Sequence, residues 1–296
     1  MIEDIYMSYW DDKRVTRDGP DINVLFWTLA NRLANKHYKR VHLVTDSIGA
    51  ERFGKLEWAS VNTSLDVLPD HLRIFWSLSK IHACQEAVKA GKPFLHIDGD
   101  VFLWKPLPER LIQSPIITQS DEPWIWYNYP LKEFVSTLPY KPAAMLNTNH
   151  VGGYNCGIMG GNDLGFWKFY TDTVLDFTYD PRNKDWFQIG NDQVIDLKAK
   201  AAKADTKEEK HELMSLVSPQ YQMAATICEQ YMISACTAHL NKKMSILFED
   251  RIRPMYQYKN AHFPELGYTH LCGMKHEKHI QDSVRRRVEE NDLVLA

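Results

Sequence analysis

The residues best suited to chemistry lie in the stretch Lys92 to Pro106, KPFLHIDGDVFLWKP. A short apolar run, Phe94-Leu95-His96-Ile97, stops at two carboxylates flanking a glycine, Asp98-Gly99-Asp100, and a second run, Val101 to Trp104, follows at once. Two acids between strand-like runs are costly to bury unless water or a metal compensates their charge. At i and i+2 of an extended segment they point the same way and can share one hard cation. A divalent ion bridging the oxygens of a nucleoside diphosphate acts as a Lewis acid for that leaving group. The plainer reading is a turn between the two strands of a hairpin.

Three further stretches could serve the same chemistry. In Thr269-His270-Leu271-Cys272-Gly273-Met274-Lys275, a histidine at a strand end precedes a glycine and then a lysine. Imidazole can complete a Mn²⁺-type oxygen and nitrogen sphere. Gly273 permits close approach of backbone to phosphate, and Lys275 offers a compact positive charge. A packed or exposed histidine is the alternative for His270. In Asn155-Cys156-Gly157-Ile158-Met159-Gly160-Gly161 the glycines could let a sugar ring lie against the backbone, with Asn155 donating to a hydroxyl; a bulged strand would use the same residues. Gly190-Asn191-Asp192-Gln193 reads as the opening of a helix. There Asp192 and Gln193 could touch donor hydroxyls or the reacting carbon, or Asn191 or Asp192 could simply be an N-cap.

These groups need a frame to hold them. Ile2 to Trp10 reads as a first strand, and Asp21-Ile22-Asn23 opens a helix with Phe26, Leu29, Ala30 and Leu33 on one face. Val41 to Thr45 is a short strand ending at Asp46, and Trp58 to Val61 another. A β-α-β unit of this kind implies a parallel sheet with a right-handed crossover. Pro69-Asp70 and Gly91 mark the start and stop of a helix whose Ile74, Leu78, Ile81, Cys84 and Val88 share a buried face. That helix feeds the strand Phe94 to Ile97, which places the two acids at the carboxyl end of a strand, where open α/β sheets form ligand crevices. Ser114 to Thr118 is a further strand, and Asp121 to Asn149, rich in Pro, Tyr and Trp, reads as a long loop beside the site. After the strand Tyr154 to Met159 come helices over Asp163 to Phe177 and Trp186 to Leu197. A solvated charged run, Lys198 to Glu212, follows. A helical region Gln220 to His239, strands at Ile246 to Phe248 and Tyr268 to Leu271, and a polar helix His276 to Glu290 complete the chain. No repeat and no domain boundary is evident, so the expectation is one domain, 1–296, with a helical region about 197–243 on the acceptor side.

Composition narrows the function classes. The 296 residues are 44% hydrophobic and 25% charged with a net charge of −3, the profile of an ordinary globular protein. The near-neutral balance argues against a nucleic-acid partner, which would call for a basic excess. Aromatic residues make up 12% and include nine Trp, which serves a large core or a carbohydrate-handling surface equally well. The five cysteines are odd in number and form no CxxC pair, so reduced thiols and a cytoplasmic setting are expected. The acidic N-terminus has no signal-peptide pattern, and no run approaches the ~18 apolar residues of a membrane span.

Taken in order, the four motifs resemble a family: the metal-dependent nucleotide-sugar glycosyltransferases of the GT-A fold, nearest to family 8, the glycogenin-like and lipopolysaccharide galactosyl- and glucosyltransferase group. Its sequences carry a Lys on the helix before the DxD strand, the aspartate pair, an Asn-x-Gly strand, an Asp-Gln pair and a closing His-x-x-Gly-x-Lys. Lys80, Asp98 and Asp100, Asn155 and Gly157, Asp192 and Gln193, and His270, Gly273 and Lys275 match them. The family usually continues its last motif with Pro-Trp, where this chain has His276.

The resemblance implies an α/β fold, a GT-A-like Rossmann-type mixed sheet flanked by helices. It also implies transfer of a hexose from a UDP-sugar to a hydroxyl of a saccharide or lipid-linked acceptor, with retention at the anomeric carbon, assisted by Mn²⁺ or Mg²⁺. Asp98 would contact ribose and metal, and Asp100 and His270 would ligate the metal. Gly273 and Lys275 would hold the diphosphate, and Lys80 would support the acid pair or the donor sugar. Asn155, Gly157, Asp192 and Gln193 would line the sugar pocket, with Asp192 beside the reacting carbon, and Asp46 lies where the base often sits. Two alternatives remain: a non-catalytic nucleotide-sugar-binding protein on the same fold, and a phosphatase of the haloacid dehalogenase type, whose strand also ends in DxD.

Overall fold

A computed structural model describes residues 2–11, 19–72, 75–122, 128–146, 152–204, 206–248, 261–263, 266–272 and 274–294. Its strands are β1 (Asp4–Tyr9), β2 (Arg40–Thr45), β3 (Ser60–Asn62), β4 (Phe94–Ile97), β5 (Val101–Leu103), β6 (Ile117–Glu122), β7 (Gly153–Gly161), β8 (Ser245–Ile246), β9 (Ala261–Phe263) and β10 (Tyr268–His270). Seven of them form one mixed sheet in the order β3-β2-β1-β4-β7-β6-β8, and β5, β10 and β9 form a second, smaller one. β1 pairs in parallel with both β2 and β4, whereas β7 runs antiparallel to β4 and β6. The chain is thus a mixed α/β sheet flanked by helices.

Alternation along the central strands divides the core between the two faces of the sheet. Ile5 and Met7 of β1 and Leu95 and Ile97 of β4 pack on one side with Phe26, Leu29, Ala30 and Leu33 of helix α1 (Gly19–His37). Tyr6 and Phe94 face the other way, with Leu78, Ile81 and Cys84 of a later helix. β4 is covered on both faces, and all four of its residues are buried. A strand in that position delivers whatever follows it to a well-fixed point on the sheet rim.

Three differences between the expected and the observed elements bear on the site. The helix after Pro69 begins later: Asp70–Leu72 forms a 3₁₀ turn, and the α-helix spans only Leu78–Ala90. It follows the seven-residue α2 (Ser47–Phe53) and is α3. It stops as expected at Gly91, which takes a left-handed conformation (φ 70°). Ile74, placed on its face by periodicity, lies outside the described residues. The stretch read as one long loop contains a helix, Asn128–Thr137, and a 3₁₀ turn, Ala143–Leu146. Residues 190–193 do not open a helix. They lie inside Lys184–Ala202, preceded by a short turn that Asp180 caps and Pro181 begins. Among the described residues no helix is long and apolar enough to cross a membrane.

Candidate active site

The two acids sit where one sheet hands the chain to the other. β4 ends at Ile97 in the large sheet, and β5, starting at Val101, belongs to the small one. Asp98-Gly99-Asp100 is therefore a crossing between sheets and not the turn of a hairpin. The Asp98 N–H donates to Gly157 O of β7 (3.0 Å), and the Val101 N–H donates back to Asp98 O (3.0 Å). Gly99 is required by space: a Cβ there would lie 2.2 Å from Trp27 Nε1. The Trp27 ring is itself fixed by stacking on Phe53 at 4.4 Å, with Tyr9 edge-on to both.

Antiparallel pairing of β10 with β5 sets His270 opposite Val101, and the Leu271 N–H donates to Asp100 O (3.1 Å). That register brings a histidine 170 positions downstream (270 against 100) beside the acid pair. One ligand atom from each of Asp98, Asp100 and His270 lies within 4.8 Å of the others. His270 Nε2 is 3.5 Å from Asp100 Oδ1 and 4.0 Å from Asp98 Oδ2. Its Nδ1 faces Gln119 Oε1 at 2.7 Å, an oxygen that also accepts from Tyr268 OH (2.6 Å). With Nδ1–H committed to Gln119, Nε2 is the ring atom turned toward the carboxylates, where it carries a proton that a bound metal would displace; fixing a ligating histidine through its other nitrogen is the usual outer-shell device. Two carboxylates and an imidazole are a donor set suited to Mn²⁺ or Mg²⁺.

Two lysines compensate the acids. Lys80 of α3 is enclosed, with its Nζ 2.8 Å from Asp98, 2.5 Å from Glu229 and 3.3 Å from Cys156 O. Burial opposes its charge, but Asp98 and Glu229 overcome that and raise its pKa. Lys275 Nζ donates to Asp100 Oδ2 at 3.2 Å. Burial works to raise the Asp100 pKa, yet Lys275 and His270 hold it well below the usual carboxylate range. Burial pushes Glu229 up to about 7 despite Lys80, and nearby Asp98 adds to the rise. Ser8, Tyr9, Trp10, Trp27, Trp76 and Ser79 line a cleft together with the two acids, the enclosed Lys80 and the more exposed Lys275.

Several expected site residues have other employment. Asp46 caps α2, accepting from Gly49 N (2.7 Å) and Asp11 N (2.8 Å), and does not line this cleft. Asn155 Oδ1 accepts from Gly157 N (2.9 Å) while its Nδ2 donates to Glu122 (2.8 Å). A Cβ on Gly157 would lie 2.4 Å from His270 Nδ1, so this glycine makes room for the histidine ring. Gly160 has φ 152° and its absent Cβ would strike Phe94 O at 2.2 Å; it serves strand packing, not a ligand. Gly273 lies outside the described residues. Asp192 and Gln193 are not brought to the cleft: Asp192, exposed in mid-helix, accepts from Gln188 (2.7 Å), and Gln193 Oε1 accepts from Ser218 N (3.3 Å).

Sequence reasoning missed Glu229 and Gln119. Glu229 is fully buried on a single π turn, Ile227–Tyr231, and its Oε2 has no hydrogen-bond partner among the described residues. π turns recur at functional sites. The available signal was a lone acid inside an apolar helical run, Ile227-Cys228-Glu229-Gln230-Tyr231. Gln119 sits in an ordinary strand sequence and gave none.

Fold and site together define a mixed α/β protein with a candidate divalent-cation centre at the carboxyl end of a central strand. The chain belongs to the family described as "Family of unknown function (DUF6734)", whose sequence profile matches residues 8–292. No curated protein matches it. Among solved structures it is similar to mouse xyloside xylosyltransferase 1 in its apo form, at 12% identity and a TM-score of 0.31, over 65% of this chain and 82% of that one. It is also similar to the PaToxG glycosyltransferase, at 12% identity and a TM-score of 0.31, over 76% of this chain and 78% of that one.

Proposed function

We propose that this protein is a metal-dependent glycosyltransferase, a single domain that moves a hexose from a UDP-sugar to a hydroxyl of a saccharide or lipid-linked acceptor with retention. The observation that carries this reading is the convergence of Asp98, Asp100 and His270 within 4.8 Å, with Lys275 beside them in an aromatic-walled cleft. Asp98, Asp100 and His270 would hold Mn²⁺ or Mg²⁺, which when bound supplies Lewis acidity toward a diphosphate leaving group. Gln119 keeps the His270 ring turned toward the carboxylates, and Gly157 leaves the space in which it stands. Lys275, with Gly273, would bind phosphate oxygens. Lys80 holds Asp98 in place through a charge it shares with Glu229. Because Asp98 and Asp100 are the carboxylates among the described residues that line the cleft, the protein's share of the work is positioning and stabilisation of the departing charge, not attack by a nucleophile. Asp192, Gln193 and Asp46 receive no part in the reaction. Five unpaired cysteines, four of them buried, support a cytoplasmic setting.

The test is a panel of UDP- and GDP-sugars with and without Mn²⁺, read by thermal shift and by release of free nucleotide. A UDP-sugar with Mn²⁺ is expected to raise the melting temperature, and Asp100→Ala to abolish the rise. No shift with any nucleotide sugar at any metal concentration ends the transferase reading. Metal-dependent binding without turnover, acceptors present, would leave a nucleotide-sugar-binding protein, and phosphate release from phosphomonoesters would point to a phosphatase.

A further inference from the structure

The two lysines that neutralise the Asp98-Gly99-Asp100 crossing are held in different ways. Lys80 is locked in: its side chain is 8% exposed and its ammonium is shared by Asp98, Glu229 and the Cys156 carbonyl. Lys275 sits at the cleft edge with its side chain 37% exposed, and among the described residues its ammonium has one acceptor, Asp100 Oδ2. The other oxygen of that carboxylate, Oδ1, is the one that faces His270. A divalent ion seated on Oδ1 would therefore meet the Lys275 ammonium across a single carboxylate, and two cations that close repel. Lys275 is free to leave, because nothing else described holds its head group. A diphosphate in the cleft offers that ammonium new oxygens and at the same time supplies negative charge to the ion.

We propose that Lys275 stands in for the divalent cation on Asp100 in the empty protein and moves to the phosphate oxygens when a nucleoside diphosphate enters, so that metal and diphosphate each favour the other's binding through this one side chain. The inference rests on the metal and nucleotide reading above and adds an order to it: neither ligand alone completes the site. Linkage requires the coupling to be reciprocal, so metal tightens nucleotide by the factor by which nucleotide tightens metal. Lys275 is a coupling residue here, and its removal should separate two quantities that a merely structural role would move together.

The experiment is calorimetric titration of the full chain with Mn²⁺ alone, with UDP or GDP alone, and with each in the presence of the other. Wild type, Lys275→Met, Lys275→Gln and Lys275→Arg are compared after checking that each keeps its ligand-free melting temperature. The two charge-removing variants guard against one failing to fold. Removing the charge is expected to tighten Mn²⁺ binding in the absence of nucleotide about tenfold and to weaken UDP alone by about as much, the size of one half-exposed charge contact. Mn²⁺ affinity at saturating UDP should change little, so the coupling factor falls about tenfold. Lys275→Arg keeps the charge and should keep the coupling within a few-fold of wild type. If wild type binds Mn²⁺ and UDP but the charge-removing variants bind Mn²⁺ alone no more tightly, or keep the wild-type coupling, the stand-in role is wrong while the metal and nucleotide reading survives. If wild type binds neither ligand, that earlier reading is what fails.

Discussion

Replacing Lys80 with Met tests the electrostatic centre of the site. The side chains are close in length, so packing is nearly preserved while the charge is lost. Among the described residues Lys80 Nζ has three polar partners, Asp98 at 2.8 Å, Glu229 at 2.5 Å and Cys156 O at 3.3 Å. Its loss leaves two carboxylates facing each other. Asp98 has a side chain 20% exposed and can be partly rehydrated, but Glu229 is fully buried and cannot. Removing one partner of a buried pair costs about 3–5 kcal/mol, and the access of Asp98 to water puts this case near 3 kcal/mol at pH 8.

The cost should depend on pH, because Glu229 can escape by taking a proton. In the wild type its pKa is pushed up to about 7 from an ordinary 4.5. Between those values the folded protein holds the proton more tightly than the unfolded chain does. Glu229 therefore contributes stability that is fully present below about 4.5 and is lost as pH rises through about 7. In Lys80→Met the lowering influence of the ammonium is gone, the pKa rises further, and the decline extends above pH 7. At pH 5, with Glu229 neutral, the variant should lose only about 1–2 kcal/mol, the scale of hydrogen bonds left unmade. Adding Glu229→Gln to Lys80→Met should recover about 1–2 kcal/mol at pH 8, since a buried amide needs no counter-charge. Urea denaturation followed by circular dichroism at both pH values reads all of this. A Lys80→Met protein within about 1 kcal/mol of wild type at pH 8, or a double variant no better than the single one, would refute the reasoning.

Two other substitutions address the metal centre and its surroundings. Gly157→Ala puts a methyl 2.4 Å from His270 Nδ1 and 2.7 Å from Gln119 Oε1, so it should weaken Mn²⁺ binding about tenfold or more while the fold survives; unchanged Mn²⁺ affinity by calorimetry would count against His270 as a ligand. Asp192→Asn alters an exposed carboxylate bonded to Gln188 in mid-helix, and should leave nucleotide binding, turnover and melting temperature at wild-type values. A large loss of turnover there would return Asp192 to the reaction.

How legible the site was depended on how each residue reaches it. Asp98 and Asp100 could be placed because an unbroken apolar strand runs straight into them, and a buried strand of an α/β sheet has to end at its rim. His270 and Lys275 were nameable from their spacing, but their nearness to the acids depends on the β10–β5 register, a hydrogen-bonding choice between segments far apart in sequence. Glu229 could not be placed, because its contact with Lys80 spans 149 positions and relies on a π turn that local propensity does not signal. For Asp192 and Gln193 the opposite holds: the acid-amide pair is a plausible site motif by type, and the helix that contains it starts earlier, after the turn capped by Asp180, which puts both residues in mid-helix and outside the set that lines the cleft.

The sequence by itself therefore determined some local matters: the central strands β1, β2 and β4, the helix α1 with one apolar face, that the aspartate pair ends a central strand, and that α3 stops at Gly91. These follow from periodicity and backbone preference, which act over a few residues. Only the tertiary structure decided that the Asp98-Gly99-Asp100 crossing passes between two sheets, that Gln119 orients His270, and that one lysine is locked against the acids while the other sits at the cleft edge. Those outcomes depend on packing and charge between segments distant in the chain, and such interactions exist only once the chain has folded.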